Sequence, residues 1–122
     1  MKTRPTVLLC DDSRALRMLT ARQLSDAGFE VIAEAANGAE AVEQYKVHDP
    51  AVVLLDLVMP QLDGKQALQA ILYHDARAKV VILSSLGAQN DIEDCLRMGA
   101  ASYLQKPIDP EAMVRVLHQV AG

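Results

Sequence analysis

The sequence predicts a single α/β domain: a five-stranded parallel sheet with helices packed on both faces. Three observations predict it. Five short strand-like segments alternate with five stretches whose apolar residues recur at helical spacing, the pattern of consecutive βαβ units. The central run, Val52-Val53-Leu54-Leu55, contains no polar residue, as a strand buried on both faces requires. Carboxylates follow the first and third runs, at Asp11-Asp12 and at Asp56, and open α/β sheets place their chemistry at such strand ends.

Thr6-Val7-Leu8-Leu9-Cys10 is the first strand, running into Asp11-Asp12-Ser13. Residues 14 to 27 form a helix whose inward face is expected to be Leu16, Leu19, Leu24 and Ala27, stopped by Gly28. Phe29 to Ala35 is a second strand, less apolar than the first and therefore expected near an edge. Asn37-Gly38 would signal a hairpin turn, but Ala39 to Val47 repeats with helical spacing through Val42 and Tyr45, so the pair reads as a loop and helix start. Asp49-Pro50 breaks that helix, and the central strand begins at Ala51. After Asp63-Gly64 comes a helix with Ala67, Leu68, Ile71 and Leu72 on its apolar side. Lys79 to Leu83 is the fourth strand, Asp91 to Met98 a helix with Ile92, Cys95 and Leu96, and Ser102 to Gln105 a short fifth strand. Asp109-Pro110 opens the last helix, because Asp caps and Pro suits the first turn; Met113, Val116, Leu117 and Val120 line its buried side.

Composition excludes several classes of function. A chain of 122 residues makes one domain, and with 51% hydrophobic but only 3% aromatic residues its core must be aliphatic. No run is long enough to span a bilayer, and too few apolar residues follow Lys2 and Arg4 for a secretion signal, so a cytoplasmic protein is expected. Cys10 and Cys95 are isolated and imply no disulfide framework. A net charge of −4 leaves no footprint for nucleic acid.

Pro60 cannot continue a strand ladder and Asp63-Gly64 marks a turn, so Asp56 closes the central strand. A capping role for Asp56 alone leaves Asp11 and Asp12 unexplained, whereas carboxylates delivered by two strand ends make a cation site. Ser84 ends the fourth strand and Lys106 follows the fifth. In a parallel sheet all of these lie on one edge. Carboxylates, a hydroxyl and an ammonium gathered there are the parts needed to bind Mg²⁺ and to receive a phosphoryl group.

In this order and spacing, Asp11-Asp12, Asp56-Leu57-Val58-Met59-Pro60 with Asp63-Gly64, Ser84, Tyr103 and Lys106-Pro107 resemble the CheY-like receiver domains of bacterial two-component response regulators. The resemblance covers essentially the whole chain. It implies a flavodoxin-like (βα)5 fold with strand order 2-1-3-4-5, and a signalling switch rather than an enzyme with a substrate of its own. Asp56 would accept phosphate from a sensor histidine kinase. Asp12 would bind Mg²⁺ directly and Asp11 largely through water, with the carbonyl of Val58 completing the set. Ser84 and Lys106 would each bond a phosphoryl oxygen, and Tyr103 would rotate with activation. A cis peptide is implied at Lys106-Pro107. Output would pass to a protein target through the fourth helix, fifth strand and fifth helix, in chemotaxis or as the receiver module of a larger regulator.

Plainer roles compete with each assignment. Ser84 could bond to the backbone, Lys106 could be a solvated lysine, and Tyr103 could be half-buried packing. His48, His74 and His118 show no ligand spacing and read as surface residues. A small phosphatase or phosphotransferase working through an aspartyl-phosphate would want a base to hydrolyse the intermediate, and no His or extra Glu accompanies Asp56. A flavodoxin-like cofactor carrier would want a Ser/Thr/Gly-rich loop after the first strand, where this chain has Asp11-Asp12. Val58 and Leu86, two positions beyond Asp56 and Ser84, are apolar and would hinder the water that hydrolyses an aspartyl-phosphate.

Overall fold

Strands buried along their whole length organise the fold. In a computed structural model, which describes residues 4–59, 63–85 and 87–121, every residue of β3 (Val52–Asp56) and β4 (Val80–Ser84) is buried. Pro60 and Leu86 lie outside the described residues. The chain alternates β1 (Thr6–Cys10), α1 (Arg14–Asp26), β2 (Glu30–Ala35), α2 (Gly38–His48), β3, α3 (Gly64–His74), β4, α4 (Gln89–Met98), β5 (Ser102–Gln105) and α5 (Pro110–Ala121). All strand pairs are parallel, in the order β2-β1-β3-β4-β5. The two edge strands, β2 and β5, are only partly buried, as the polar residues in the second run predict.

Side chains alternate across a strand, so each central strand feeds two cores. Leu8, Val53, Leu55 and Ile82 pack with Ala41, Tyr45, Leu68, Ile71 and Cys95, placing α2, α3 and α4 on one face. Val7, Leu9, Leu54 and Val81 pack with Leu24, Phe29, Met113 and Leu117, placing α1 and α5 on the other. Cys10 and Cys95 are both free and buried.

Helix ends follow local chemistry. Asn37 caps α2 by accepting the Glu40 amide at 2.8 Å, so Asn37-Gly38 is a helix start, as the helical spacing after it predicts. Asp63 and Gln66 form a capping box at α3, with bonds of 2.9 and 3.1 Å. Asp49 ends α2 in the left-handed region at φ 46, which a short polar side chain tolerates. The Tyr45 hydroxyl donates to Asp75 Oδ2 at 2.9 Å and ties α2 to the end of α3. His48, His74 and His118 are exposed, as expected, although His118 also stacks on Phe29 at 4.7 Å.

Two apolar faces differ from expectation. Leu16 and Leu19 are 46% and 53% exposed, and the inward stripe of α1 is Arg17, Ala21 and Leu24 instead. The first turns of α1 reach past the carboxyl edge of the sheet, where Leu16 and Leu19 line a groove with Leu83, Pro107 and Ile108 rather than a core. Leu96 is likewise exposed, because Ile92 and Cys95 alone fill the narrow stripe by which α4 meets its neighbours. The fourth strand and the helix after it are shifted slightly: the strand runs to Ser84, with Lys79 outside it, and the helix begins at Gln89.

Gly64 is needed for a close approach of backbones. Its amide donates to the Leu57 carbonyl at 3.0 Å. A Cβ there would collide with the Leu57 Cα and lie 2.7 Å from the Asp56 carbonyl oxygen, neither of which can move without shifting the end of β3. Gly64→Ala is therefore expected to destabilise the protein by about 1–3 kcal/mol, the usual cost of overpacking. Urea unfolding measures this; an unchanged midpoint would show that α3 and β3 are free to separate.

Candidate functional site

Asp56 is the last residue of β3, on the same face as Val52 and Leu54, and is 3% exposed. A carboxylate so buried must be paired or hydrogen-bonded. Both of its oxygens are: Oδ1 accepts from the Val58 amide at 3.0 Å, and Oδ2 is 2.6 Å from the Lys106 ammonium. Lys106 follows β5, and its amide donates to the Ser84 carbonyl at 2.7 Å, extending the ladder by one residue before the chain turns. The Lys106-Pro107 peptide is cis, as the resemblance implies.

Asp11 continues β1 on the same side of the sheet and is also buried. Its amide donates to the Ala35 carbonyl at 3.0 Å, and its Oδ1 accepts from the Ser13 amide at 2.9 Å. Burial pushes the Asp11 carboxyl above its usual range; the Ser13 amide opposes that shift, and the neighbouring Asp56 adds to it. Asp12 is exposed beside it. One carboxylate oxygen from each of Asp11, Asp12 and Asp56 lies within 4.8 Å of the others. Ligands opposite one another on Mg²⁺ are about 4.2 Å apart, so small movements or a bridging water fit this set to the ion. All the donors are hard oxygens, which suits Mg²⁺ and disfavours zinc or copper.

Ser84, the last residue of β4, is 1% exposed, and its Oγ has no hydrogen-bond partner among the described residues. Leaving a buried hydroxyl unsatisfied costs about 1–3 kcal/mol, so this position suits an acceptor oxygen such as that of a phosphoryl group. Asp56, Ser84 and Lys106 thus come together at one sheet edge with Asp11, Asp12 and the main chain of Val58. Tyr103 does not join them: it sits on the edge strand β5, 42% exposed. The Val58 side chain is exposed at the mouth of the site.

Sequence reasoning missed Arg17 and Glu34. The Arg17 guanidinium donates to the Asp11 carbonyl, and its Nε is 3.0 Å from Glu34 Oε1 on β2. The available signal was spacing: Arg17, Ala21 and Leu24 follow one helical stripe, and the leucines at 16 and 19 masked it.

The chain matches the response regulator receiver domain family over residues 7–118. It is 38% identical over 113 residues to the chemotaxis protein CheY of Bacillus subtilis, covering 93% of this chain and 94% of that protein. It is 36% identical over 115 residues to CheY of Thermotoga maritima, covering 94% and 96%. Among solved structures, the CheX-CheY-BeF3-Mg²⁺ complex from Borrelia burgdorferi superposes with a TM-score of 0.90 at 35% identity, over 94% of this chain and 87% of that one. Together with the sheet order and the acidic strand ends, these likenesses establish that the chain belongs to the response regulator receiver domains, the phospho-accepting signalling switches of two-component systems.

Proposed function

We propose that the chain, as a single receiver module, takes a phosphoryl group from a phosphohistidine of a sensor kinase onto Asp56. The observation that carries this reading is the buried Asp56 carboxylate, paired with Lys106 at 2.6 Å and clustered with the oxygens of Asp11 and Asp12. An Asp56 oxygen attacks phosphorus in line with the P–N bond. The O–P bond forms as the P–N bond breaks, and its electron pair returns to the imidazole, which takes up a proton. Lys106 moves its hydrogen bond from the carboxylate to a phosphoryl oxygen, and the Ser84 hydroxyl donates to another. Asp11, Asp12, Asp56 and the Val58 carbonyl would hold Mg²⁺, which when bound neutralises charge on the transferring group. The chain itself provides the catalytic groups, so a small phosphodonor can replace the kinase. A donor protein approaches over the groove that Leu16, Leu19, Pro107 and Ile108 line beside Asp11 and Lys106.

Output passes through the face made by α4, β5 and α5, where Leu96, Met98 and Tyr103 leave apolar surface exposed. Rotation of Tyr103 as Ser84 is drawn to the phosphoryl group would couple the two regions. The CheY proteins among its relatives favour a chemotaxis output, and the cytoplasm is the compartment in which kinase and target meet.

The three carboxylates repel one another without a cation, and this generates the first test. Asp12→Asn is expected to melt higher than the parent in chelator and to lose stabilisation by Mg²⁺. The parent gains about 1.4 kcal/mol at ten times its dissociation constant. An equal response of both proteins to Mg²⁺ would remove the cation site. For the acceptor, Asp56→Asn abolishes hydroxylamine-sensitive labelling by a phosphodonor, while Lys106→Ala still binds Mg²⁺ but signals poorly; labelling that survives in Asp56→Asn places the nucleophile elsewhere. The third test concerns persistence. Val58 cannot orient a water, so the phosphorylated form is expected to be long-lived, and Val58→Asn to shorten its lifetime by about ten-fold, one hydrogen bond's worth of barrier. Decay of the labelled protein after donor removal is the measurement, and an unchanged lifetime refutes a role for this side chain.

A further inference from the structure

Residue 11 is held at three points. Its amide donates to Ala35 at the end of β2, its carboxylate accepts from the Ser13 amide, and its carbonyl accepts from the Arg17 guanidinium. The third contact comes from a side chain that is itself anchored. Arg17 is only 14% exposed, and its Nε pairs with Glu34 Oε1 at 3.0 Å. One guanidinium therefore spans α1, the loop after β1, and β2.

We propose that Arg17 is a positioning residue for the divalent-cation site. By holding the Asp11 carbonyl it fixes the plane of the Asp11–Asp12 peptide, and so the direction in which the Asp12 carboxylate leaves the backbone. Asp12 is exposed, so its direction depends on that backbone more than on packing. Arginine suits the task because its planar fork presents separate N–H groups to two acceptors at once, and a bond from a charged donor holds the carbonyl firmly. A lysine ammonium offers no such fork. The inference rests on the cation site proposed above.

Charge alone makes the opposite prediction, which gives the experiment its power. A guanidinium near three carboxylates repels Mg²⁺, so its removal should tighten binding if field were all that mattered. Positioning predicts weaker binding. Calorimetric titration with MgCl₂ of the parent, Arg17→Ala, Arg17→Lys and Glu34→Gln separates the two, with melting in chelator as a control on folding. Arg17→Ala is expected to bind Mg²⁺ about ten-fold more weakly, the lower end of what loss of a group supporting a metal ligand costs. Glu34→Gln should weaken it about three-fold, as suits a partly exposed ion pair, and Arg17→Lys should fall between the parent and Arg17→Ala. A purely structural pin would lower melting equally with and without Mg²⁺ and leave the affinity unchanged. Unchanged or tighter binding in Arg17→Ala overturns the proposal, as it does in Arg17→Lys and Glu34→Gln should the alanine variant not fold. A parent that binds no Mg²⁺ overturns the cation site itself, and the role of Arg17 with it.

Discussion

A buried carboxylate at the end of a strand with no polar neighbours inside it sets the terms for this structure. Asp56 can stay there only if its charge is met, because an unpaired buried ion costs several kcal/mol. The partner, Lys106, lies 50 residues further along the chain. It also lies one strand removed, since β4 separates β3 from β5. The ammonium must therefore cross the end of β4, and the Ser84 carbonyl anchors the Lys106 amide at that crossing. The ion pair, the strand order and the bond from the Lys106 amide to the Ser84 carbonyl are one constraint seen three ways.

The same edge gathers like charges. Asp11, Asp12 and Asp56 crowd their oxygens together, and burial already drives the Asp11 carboxyl upward. Such an arrangement is poor for stability and good for binding a small hard cation, whose charge offsets both the repulsion and the desolvation. Receiver domains work as switches, and stability withheld from the resting site is available to the liganded one.

Helix placement serves that edge. Gly64 lets the start of α3 touch the backbone at and just beyond Asp56, and the Asp63–Gln66 capping box closes that start. The first turns of α1 do two jobs on two sides. Arg17 faces inward and holds the acidic loop to β2, while Leu16 and Leu19 keep apolar surface exposed in the groove beside Asp11 and Lys106.

Much of this was legible in the sequence because it depends on local order along the chain. Continuous apolar runs pointed to the central strands, the carboxylates and Ser84 announced themselves by ending those runs, and Lys106 by following the short fifth strand, since a parallel sheet brings such ends to one edge whatever the details of packing. Strand order came through the family resemblance and not from periodicity. What tertiary structure alone decided was which side of each helix meets a neighbour. Leu16, Leu19 and Leu96 satisfy helical spacing yet lie where none of the described elements covers them, and hydrophobicity records only that a side chain can be buried, not that a partner is present. Arg17 is the converse, a charged residue turned inward because the Asp11 carbonyl and Glu34, distant in sequence, converge on it in space.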